Sequence, residues 1–156
     1  MTVLNDPEFI PFLIRAKRNT YAGNTGKVAS SRAESNDLAY QEGEWSYYDT
    51  YLGGFAFAGE EAVWKAGAPV WSMNYYGTMV GDDLRQVPDG FSEFLKRALL
   101  AVPADAPYRG PASFSEGRFS YTCRWSGDLR FYTGDETITL DGQTIYRLNF
   151  HGGIIL

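Results

Sequence analysis

Asp49 is the residue whose surroundings in this sequence best suit binding or chemistry. It lies in a predicted strand over residues 44–52. Alternate residues of a strand face the same side, so Asp49 shares a face with Trp45, Tyr47 and Tyr51. A carboxylate among aromatic rings needs a hydrogen-bonding or cationic partner, or its pKa must rise. Two interpretations stay open: a pocket carboxylate that holds a ligand amine or hydroxyl, and a structural Asp hydrogen-bonded to a Tyr or Arg.

Two arginines occupy corresponding positions in the loops that follow the two predicted helices. Arg32 has Ser30 and Ser31 beside it, and Arg109 is followed by Ser113. Such arginines bind an anion or cover a pocket in some proteins and pair with surface carboxylates in others. We include Arg32 among the candidate ligand-binding residues.

The other chemically reactive residues do not form a catalytic set. His151 is the one histidine, which excludes multi-histidine metal sites. It has the opposite strand parity to Phe150 and therefore leaves the face that Cys123 shares, which argues against a thiol–imidazole pair. Neither a nucleophile elbow nor a P-loop or dinucleotide fingerprint occurs. The sequence predicts no catalytic residue, no metal site and no cofactor.

Adjacent carboxylates also give no catalytic pair. Glu60 and Glu61 are neighbours in a strand and so face opposite sides of the sheet. Glu61 is expected to have a structural role beside a turn. Asp82-Asp83 lacks the alternating Asp/Asn and Gly pattern of a calcium loop.

Hydrophobic periodicity predicts the elements that position these residues. Asp6-Pro7 begins a helix with an apolar stripe at helical spacing, and a second helix starts at Phe91 and ends before Pro103. Residues 19–36 are predicted to form a long loop. Strands are expected near 37–41, 44–52, 55–58, 61–65 and 69–77, followed by another set from 112 to the C-terminus.

The second strand set resembles the first, which predicts an internal repeat. Glu42-Gly43-Glu44-Trp45-Ser46-Tyr47 lies opposite Glu116-Gly117-Arg118-Phe119-Ser120-Tyr121. Phe57 is matched with Phe131, and we expect both on the apolar face of the sheet. The expected fold is α+β: two tandem helix-plus-four-strand units (α-β4-α-β4), approximately 7–80 and 89–156, in one domain over 1–156. An antiparallel sheet would have both helices packed on one face.

The charge balance limits the partners. Fourteen basic against nineteen acidic residues give a net charge of −5, which disfavours nucleic acid and anionic membranes. The N-terminus lacks the basic and apolar regions of a signal peptide, so we expect a cytoplasmic location.

Several sequence segments resemble an uncharacterised bacterial domain family. The segments are Asp49-Thr50-Tyr51-Leu52-Gly53-Gly54, Phe57-Ala58-Gly59-Glu60-Glu61-Ala62-Val63-Trp64, Pro69-Val70-Trp71-Ser72-Met73-Asn74-Tyr75, Pro107-Tyr108-Arg109-Gly110-Pro111 and Phe150-His151-Gly152-Gly153. The resemblance runs from about Phe12 to the C-terminus. In some relatives a similar domain follows a helix-turn-helix of the phage-repressor type. The resemblance implies a sensing role and transfers no catalytic residue.

The functional prediction is a small-molecule-binding or sensor domain of unknown ligand, linked to transcriptional regulation through a partner. The candidate ligand-binding residues are Asp49, Tyr47, Tyr51, Trp71, Tyr75 and Arg32. The alternative is a protein–protein interaction module, in which an exposed aromatic face or sheet edge docks a regulatory partner or a second copy in a homodimer. The third is a hydrolase or isomerase that uses Asp49 with a tyrosine.

Overall fold

The computed structural model describes residues 2–156, which form one continuous antiparallel sheet covered on one face by two helices. After a short 3₁₀ turn over Val3–Asn5, the helices are α1 (Phe9–Arg18) and α2 (Phe91–Leu100). The strands are β1 (Lys27–Val28), β2 (Asn36–Glu42), β3 (Trp45–Gly53), β4 (Ala56–Lys65), β5 (Ala68–Met79), β6 (Ser113–Glu116), β7 (Phe119–Asp128), β8 (Phe131–Leu140) and β9 (Gln143–Ile154). Their order across the sheet is β1-β2-β3-β4-β5-β9-β8-β7-β6.

The predicted fold class is wrong. The protein is mainly β, with nine strands in a single sheet and helices of only ten residues each. A two-residue strand, β1, lies in the segment that we predicted to be loop, and it pairs with β2. The long pairing of β5 with β9, from Trp71↔Ile154 to Met79↔Tyr146, makes the sheet continuous. Since this pairing joins segments far apart in sequence, periodicity within either segment does not predict it.

Hairpin turns with left-handed residues set the register of the sheet. Ala66-Gly67 between β4 and β5 and Asp141-Gly142 between β8 and β9 all have positive φ angles of 49–82°. Two successive residues of this kind make the turn whose twist matches antiparallel strands. β4 runs without interruption through residues 56–65, where we expected a turn near Gly59.

The sheet face under the helices is the core. Phe9, Phe12 and Leu13 of α1 and Phe94 of α2 are fully buried against it. The large buried strand side chains are Trp71, Met73, Tyr121, Tyr132, Ile138, Tyr146, Leu148 and Phe150. These residues alternate with half-buried or exposed ones along their strands, as period-two patterning predicts.

One face assignment fails in β8. We expected Phe131 on the apolar face, but it is 74% exposed while Tyr132 is fully buried. Tyr132 pairs with Gly127 across the β7–β8 turn. Phe57 pairs with Gly53 across the β3–β4 turn, so the β7–β8 connection is one residue longer. The extra residue reverses the parity of β8 relative to the alignment with β4.

Candidate functional site

Asp49 lies on the buried face of β3 directly opposite another carboxylate. Trp45, Tyr47 and Asp49 are buried along one side of the strand, and Asp49 is 4% exposed. Its cross-strand partner on β4 is Glu61, also 4% exposed. Two like charges directly opposite each other in a sheet destabilise it unless other groups neutralise them. The pair therefore requires cations nearby.

Lys17 of α1 supplies one of these cations. It follows Phe9 and Leu13 at four-residue spacing, so it lies on the buried stripe of the helix, and it is 7% exposed. Its Nζ donates to Glu61 Oε2 and to the carbonyl oxygen of Tyr108 at 2.7 Å. Burial lowers the pKa of Lys17, and the charge of Glu61 opposes that shift. Lys17 and Glu61 form a buried ion pair between helix and sheet.

Arg109 supplies the second cation from the connection between α2 and β6. Its Nε and one terminal nitrogen donate to the two oxygens of Glu136 at 3.1 and 3.0 Å. Tyr121 and Tyr146 also donate to Glu136, at 2.6 and 2.9 Å. Glu136 is fully buried, and these four hydrogen bonds satisfy it. The other terminal nitrogen of Arg109 lies 3.9 Å from Glu61.

Asp49 is the carboxylate of this cluster that has no salt bridge. Across residues 2–156 its one hydrogen-bond donor is the Tyr75 hydroxyl, 2.6 Å from Oδ1. Burial, with the charge of Glu61, raises the pKa of Asp49 to about 7, against the opposing effects of Tyr75, Arg109 and Lys17. Asp49 is therefore close to half-protonated at neutral pH, and small changes in its surroundings shift its charge.

A cavity of about 310 Å³ lies beside Asp49. It is lined by Tyr21, Asn36, Asp49, Tyr51, Gly53, Gly54, Phe57, Tyr75, Leu95 and Arg109. Gly53 and Gly54 are exposed, so the cavity reaches the surface at the β3–β4 turn. A smaller space of about 30 Å³ on the Lys17 side is also bounded by Asp49 and Arg109. The volume and the combination of four aromatic rings with a few polar groups are typical of small-molecule sites.

A glycine on β4 determines how the rings close around this cavity. Gly59 pairs with Tyr51 on one side and with Tyr75 on the other. A β-carbon at Gly59 would lie 2.5 Å from the Tyr75 hydroxyl and 2.6 Å from the Tyr51 β-carbon. The missing side chain therefore lets the Tyr75 hydroxyl reach across β4 to Asp49. Phe57 lies edge-on to both tyrosines, with ring centroids 6.3 and 6.0 Å away.

The structure brings four of the six predicted site residues together. Asp49, Tyr51 and Tyr75 line the larger cavity, and Tyr47 lines the smaller one. Trp71 is fully buried and lines neither cavity. The Nζ of Lys17 lies over the Trp71 ring, 5.7 Å from the ring centroid. Its indole nitrogen has no hydrogen-bond partner within the part of the chain that is described.

Arg32 lies on the other face of the sheet. Its guanidinium donates to Thr50 Oγ1 at 2.9 Å, and Thr50 faces away from Asp49. Thr50, Tyr48 and the Ser31 amide all donate to Asp37 at 2.6–2.7 Å. These hydrogen bonds lower the pKa of Asp37 despite its burial. Arg32 thus belongs to a satisfied polar network behind β2 and β3.

Lys17, Glu61, Glu136 and Tyr21 were absent from the predicted site. Three of them carried a signal: a charged residue at a position that periodicity assigns to the apolar face. Lys17 continues the stripe of α1, and Glu61 and Glu136 precede the buried Val63 and Ile138 by two residues. The expectation that Glu61 lies beside a turn is wrong, because it is in the middle of β4. Of the two interpretations given for Arg109, pairing with a surface carboxylate is wrong, because its partner Glu136 is in the interior, and Arg109 also lines the larger cavity.

Cys123 lies apart from the cavity and is unsuited to nucleophilic chemistry. It is 2% exposed, and burial, with the charge of Glu136, raises its pKa to about 11. His151 is exposed on the opposite face of β9. No group of three metal-ligating His, Cys, Asp or Glu side chains is found among residues 2–156.

The family model of Domain of unknown function (DUF5680) matches residues 49–155, which is more than half of the chain. The chain belongs to this family. The match begins at Asp49 and includes Glu61, Tyr75, Arg109 and Glu136 of the buried cluster. The family description assigns no activity to them.

Comparison with curated proteins and with solved structures finds no significant match. None of the described helices is both long and apolar enough to cross a membrane.

Proposed function

We propose that this DUF5680 chain is a small-molecule-binding or sensor domain whose ligand occupies the cavity beside Asp49. The supporting observation is the combination of a surface-connected aromatic cavity with a buried carboxylate that has no cationic partner. Keeping an ionisable group desolvated beside another carboxylate costs stability. Proteins tolerate such costs mainly where binding or catalysis needs them.

The sensory part of the proposal concerns what binding does. The cavity wall includes Leu95 of α2, Tyr21 after α1 and four strands of the sheet, β2 to β5. A ligand there contacts both helical segments and the sheet, so binding changes how tightly the helices are held. The resemblance to bacterial domains that follow a phage-repressor-type helix-turn-helix supports a link to transcription through a DNA-binding partner in the cytoplasm.

Fragment binding mapped by amide chemical shifts tests this proposal. Uniformly ¹⁵N-labelled protein is titrated with a library of small aromatic and aliphatic fragments of both charges. We expect the shifts to cluster at Asn36, Gly53, Gly54 and Gly59. The groove of about 590 Å³ on the opposite face, lined by Thr133 and other residues, is the internal control. The proposal would be refuted if fragments shifted only the amide signals of this outer groove. It would also be refuted if no fragment shifted the amide signals of the cavity.

Acid–base catalysis is a second candidate, favoured by the protonation state of Asp49. A carboxyl whose pKa is about 7 is suited to act as a general acid or base at neutral pH. The Tyr75 hydroxyl beside it is a second proton donor. Hydrolysis or isomerisation of a compound found by the fragment search, abolished by Asp49→Asn, would support this function. Binding without turnover would exclude it for that compound.

A further inference from the structure

We propose that the Asp49 cavity binds a small organic monocation, an alkylammonium or arylalkylammonium ion, with its ammonium group between the Asp49 carboxylate and the Tyr51 ring. The inference rests on the proposed function and names the ligand class for the same cavity.

The pairing of charges in the buried cluster indicates the charge of the ligand. Lys17 pairs with Glu61, and Arg109 pairs bidentately with Glu136. Asp49 is the third carboxylate, and within residues 2–156 it has no third cation. An ionised Asp49 thus leaves one surplus negative charge in a region of low polarity. A ligand with a single positive charge completes the third pair.

The geometry at Asp49 carries the second step. Tyr75 donates to Oδ1, whereas no described residue donates a hydrogen bond to Oδ2. Among residues 2–156 the one fully buried side-chain polar atom without a partner is Trp71 Nε1, so Oδ2 retains some accessible surface even though Asp49 is 4% exposed. Oδ2 is therefore available to accept a hydrogen bond from a group inside the cavity, and a ligand N–H supplies it.

The aromatic residues carry the third step. Tyr51 follows Asp49 by two residues on the same face of β3, so a cation held by the carboxylate is within reach of this ring. Tyr21 and Tyr75 each already have a cation over one face, Lys96 at 5.7 Å and Arg109 at 5.5 Å. Tyr51 and Phe57, in the part of the chain that is described, have none. The rings of Tyr51 and Phe57 are therefore available to contact a cation bound in the cavity.

The same contacts disfavour an anionic ligand. Arg109 is the one cationic residue that lines the larger cavity; its Nε and one terminal nitrogen donate to Glu136, and its other terminal nitrogen lies 3.9 Å from Glu61. An anion would lie beside Asp49 and Glu61, and the guanidinium nearest to it is already paired with two carboxylates. A neutral hydroxyl compound fits Oδ2 but leaves the surplus charge unpaired, so it binds more weakly than the cation.

The inference predicts that binding and ionisation of Asp49 are linked. The charged and titratable groups facing Asp49 are Tyr47 and Tyr51 on β3, Glu61 on β4, Tyr75 on β5, Lys17 on α1, Tyr21 after α1 and Arg109 before β6. Burial raises the pKa of each of these tyrosines, so they stay protonated at neutral pH, where Asp49 titrates with a pKa of about 7. The bound cation requires ionised Asp49, and binding at pH 7 therefore releases about half a proton per site to the buffer.

Isothermal titration calorimetry with three probes of one shape tests the inference. The probes are benzylammonium, benzyl alcohol and benzoate. We expect benzylammonium to bind at least tenfold more tightly than benzyl alcohol at pH 8, and benzoate not to bind. Its affinity falls roughly 90-fold between pH 8 and pH 5, because the ionised fraction of Asp49 drops from about 91% to about 1%. Titrations in phosphate and Tris at pH 7 measure the released proton.

Two variants with the same change of charge locate the effect. Asp49→Asn is expected to weaken benzylammonium at least tenfold and to abolish the proton release. Asp135→Asn is the matched control, because Asp135 pairs with Arg124 on the opposite face of the sheet. This substitution is expected to leave the affinity for benzylammonium unchanged. Should Asp49→Asn fail to fold, the pH dependence and proton release of the unaltered protein decide the question.

The outcomes separate this inference from the proposed function. Benzyl alcohol or benzoate binding in the cavity more tightly than benzylammonium would overturn the monocation and leave the binding function standing. The monocation is likewise overturned, and the binding function kept, if none of the three binds while other fragments shift the cavity amides. If no fragment of any charge shifts those amides, both proposals fail together.

Discussion

Replacing Asp49 with asparagine separates a ligand-facing carboxylate from a structural one. The change keeps the shape of the side chain and removes its charge beside Glu61. A rise of the Asp49 pKa from 3.8 to about 7 corresponds to about 4 kcal/mol, since each unit is worth about 1.4 kcal/mol. That figure is the upper limit of what ionised Asp49 costs the folded state. Losing the charge-assisted hydrogen bond from Tyr75 offsets about 1–2 kcal/mol of the gain.

The sign of the effect depends on pH. Because folding raises the pKa of Asp49, the stability that protonated Asp49 contributes to the folded state is fully present below pH 3.8. This contribution to the free energy of unfolding is lost as the pH rises to about 7. Asp49→Asn is therefore expected to raise the free energy of unfolding by about 1–3 kcal/mol at pH 8. The difference between variant and parent should shrink by about 2–3 kcal/mol at pH 5. Urea denaturation at both pH values, followed by tryptophan fluorescence, measures both quantities.

Asp37→Asn is the matched control for this experiment. Asp37 is buried on the neighbouring strand, but it accepts three hydrogen bonds and its pKa is lowered. The contribution of ionised Asp37 to the free energy of unfolding is present at neutral pH and is lost as the pH falls. The Asp37→Asn variant should therefore be less stable than the unaltered protein by about 1–3 kcal/mol at pH 8. If Asp49→Asn also destabilises the protein at pH 8, or if its effect does not change with pH, Asp49 is structural. The main support for the binding site is then removed.

Three further predictions concern burial elsewhere. Lys17→Ala leaves Glu61 without its cation and should cost about 3–5 kcal/mol in urea denaturation, whereas the double change Lys17→Met, Glu61→Met should recover most of the loss; equal losses in both would contradict the ion-pair account. Cys123 should react slowly with a thiol reagent in the native protein and rapidly in urea, and equally fast labelling in both states would disprove its burial. Phe131→Ala should change stability by less than about 0.5 kcal/mol, while Tyr132→Ala should cost about 3–5 kcal/mol, and the reverse order would show that the parity of β8 is misassigned.

The sequence alone determined the local placement of the site residues. Period-two alternation assigned Tyr47, Asp49 and Tyr51 to the same face of one strand, and all three line the cavities. Helical spacing located both helices, since the stripe that follows Phe9 and the one that follows Phe91 are buried. These predictions succeed because side-chain direction in a helix or strand depends only on local backbone geometry.

The tertiary structure decided which charged groups meet and how the strands assemble. Lys17 and Glu61 are 44 residues apart, and Arg109 and Glu136 are 27 apart. No local pattern relates them. The single mainly-β sheet depends on the pairing of β5 with β9, which are far apart in sequence, so the alternation within either strand does not identify its partner. Asp49 is left without a cation because the ion pairs formed by distant segments use both of the cations in the cluster.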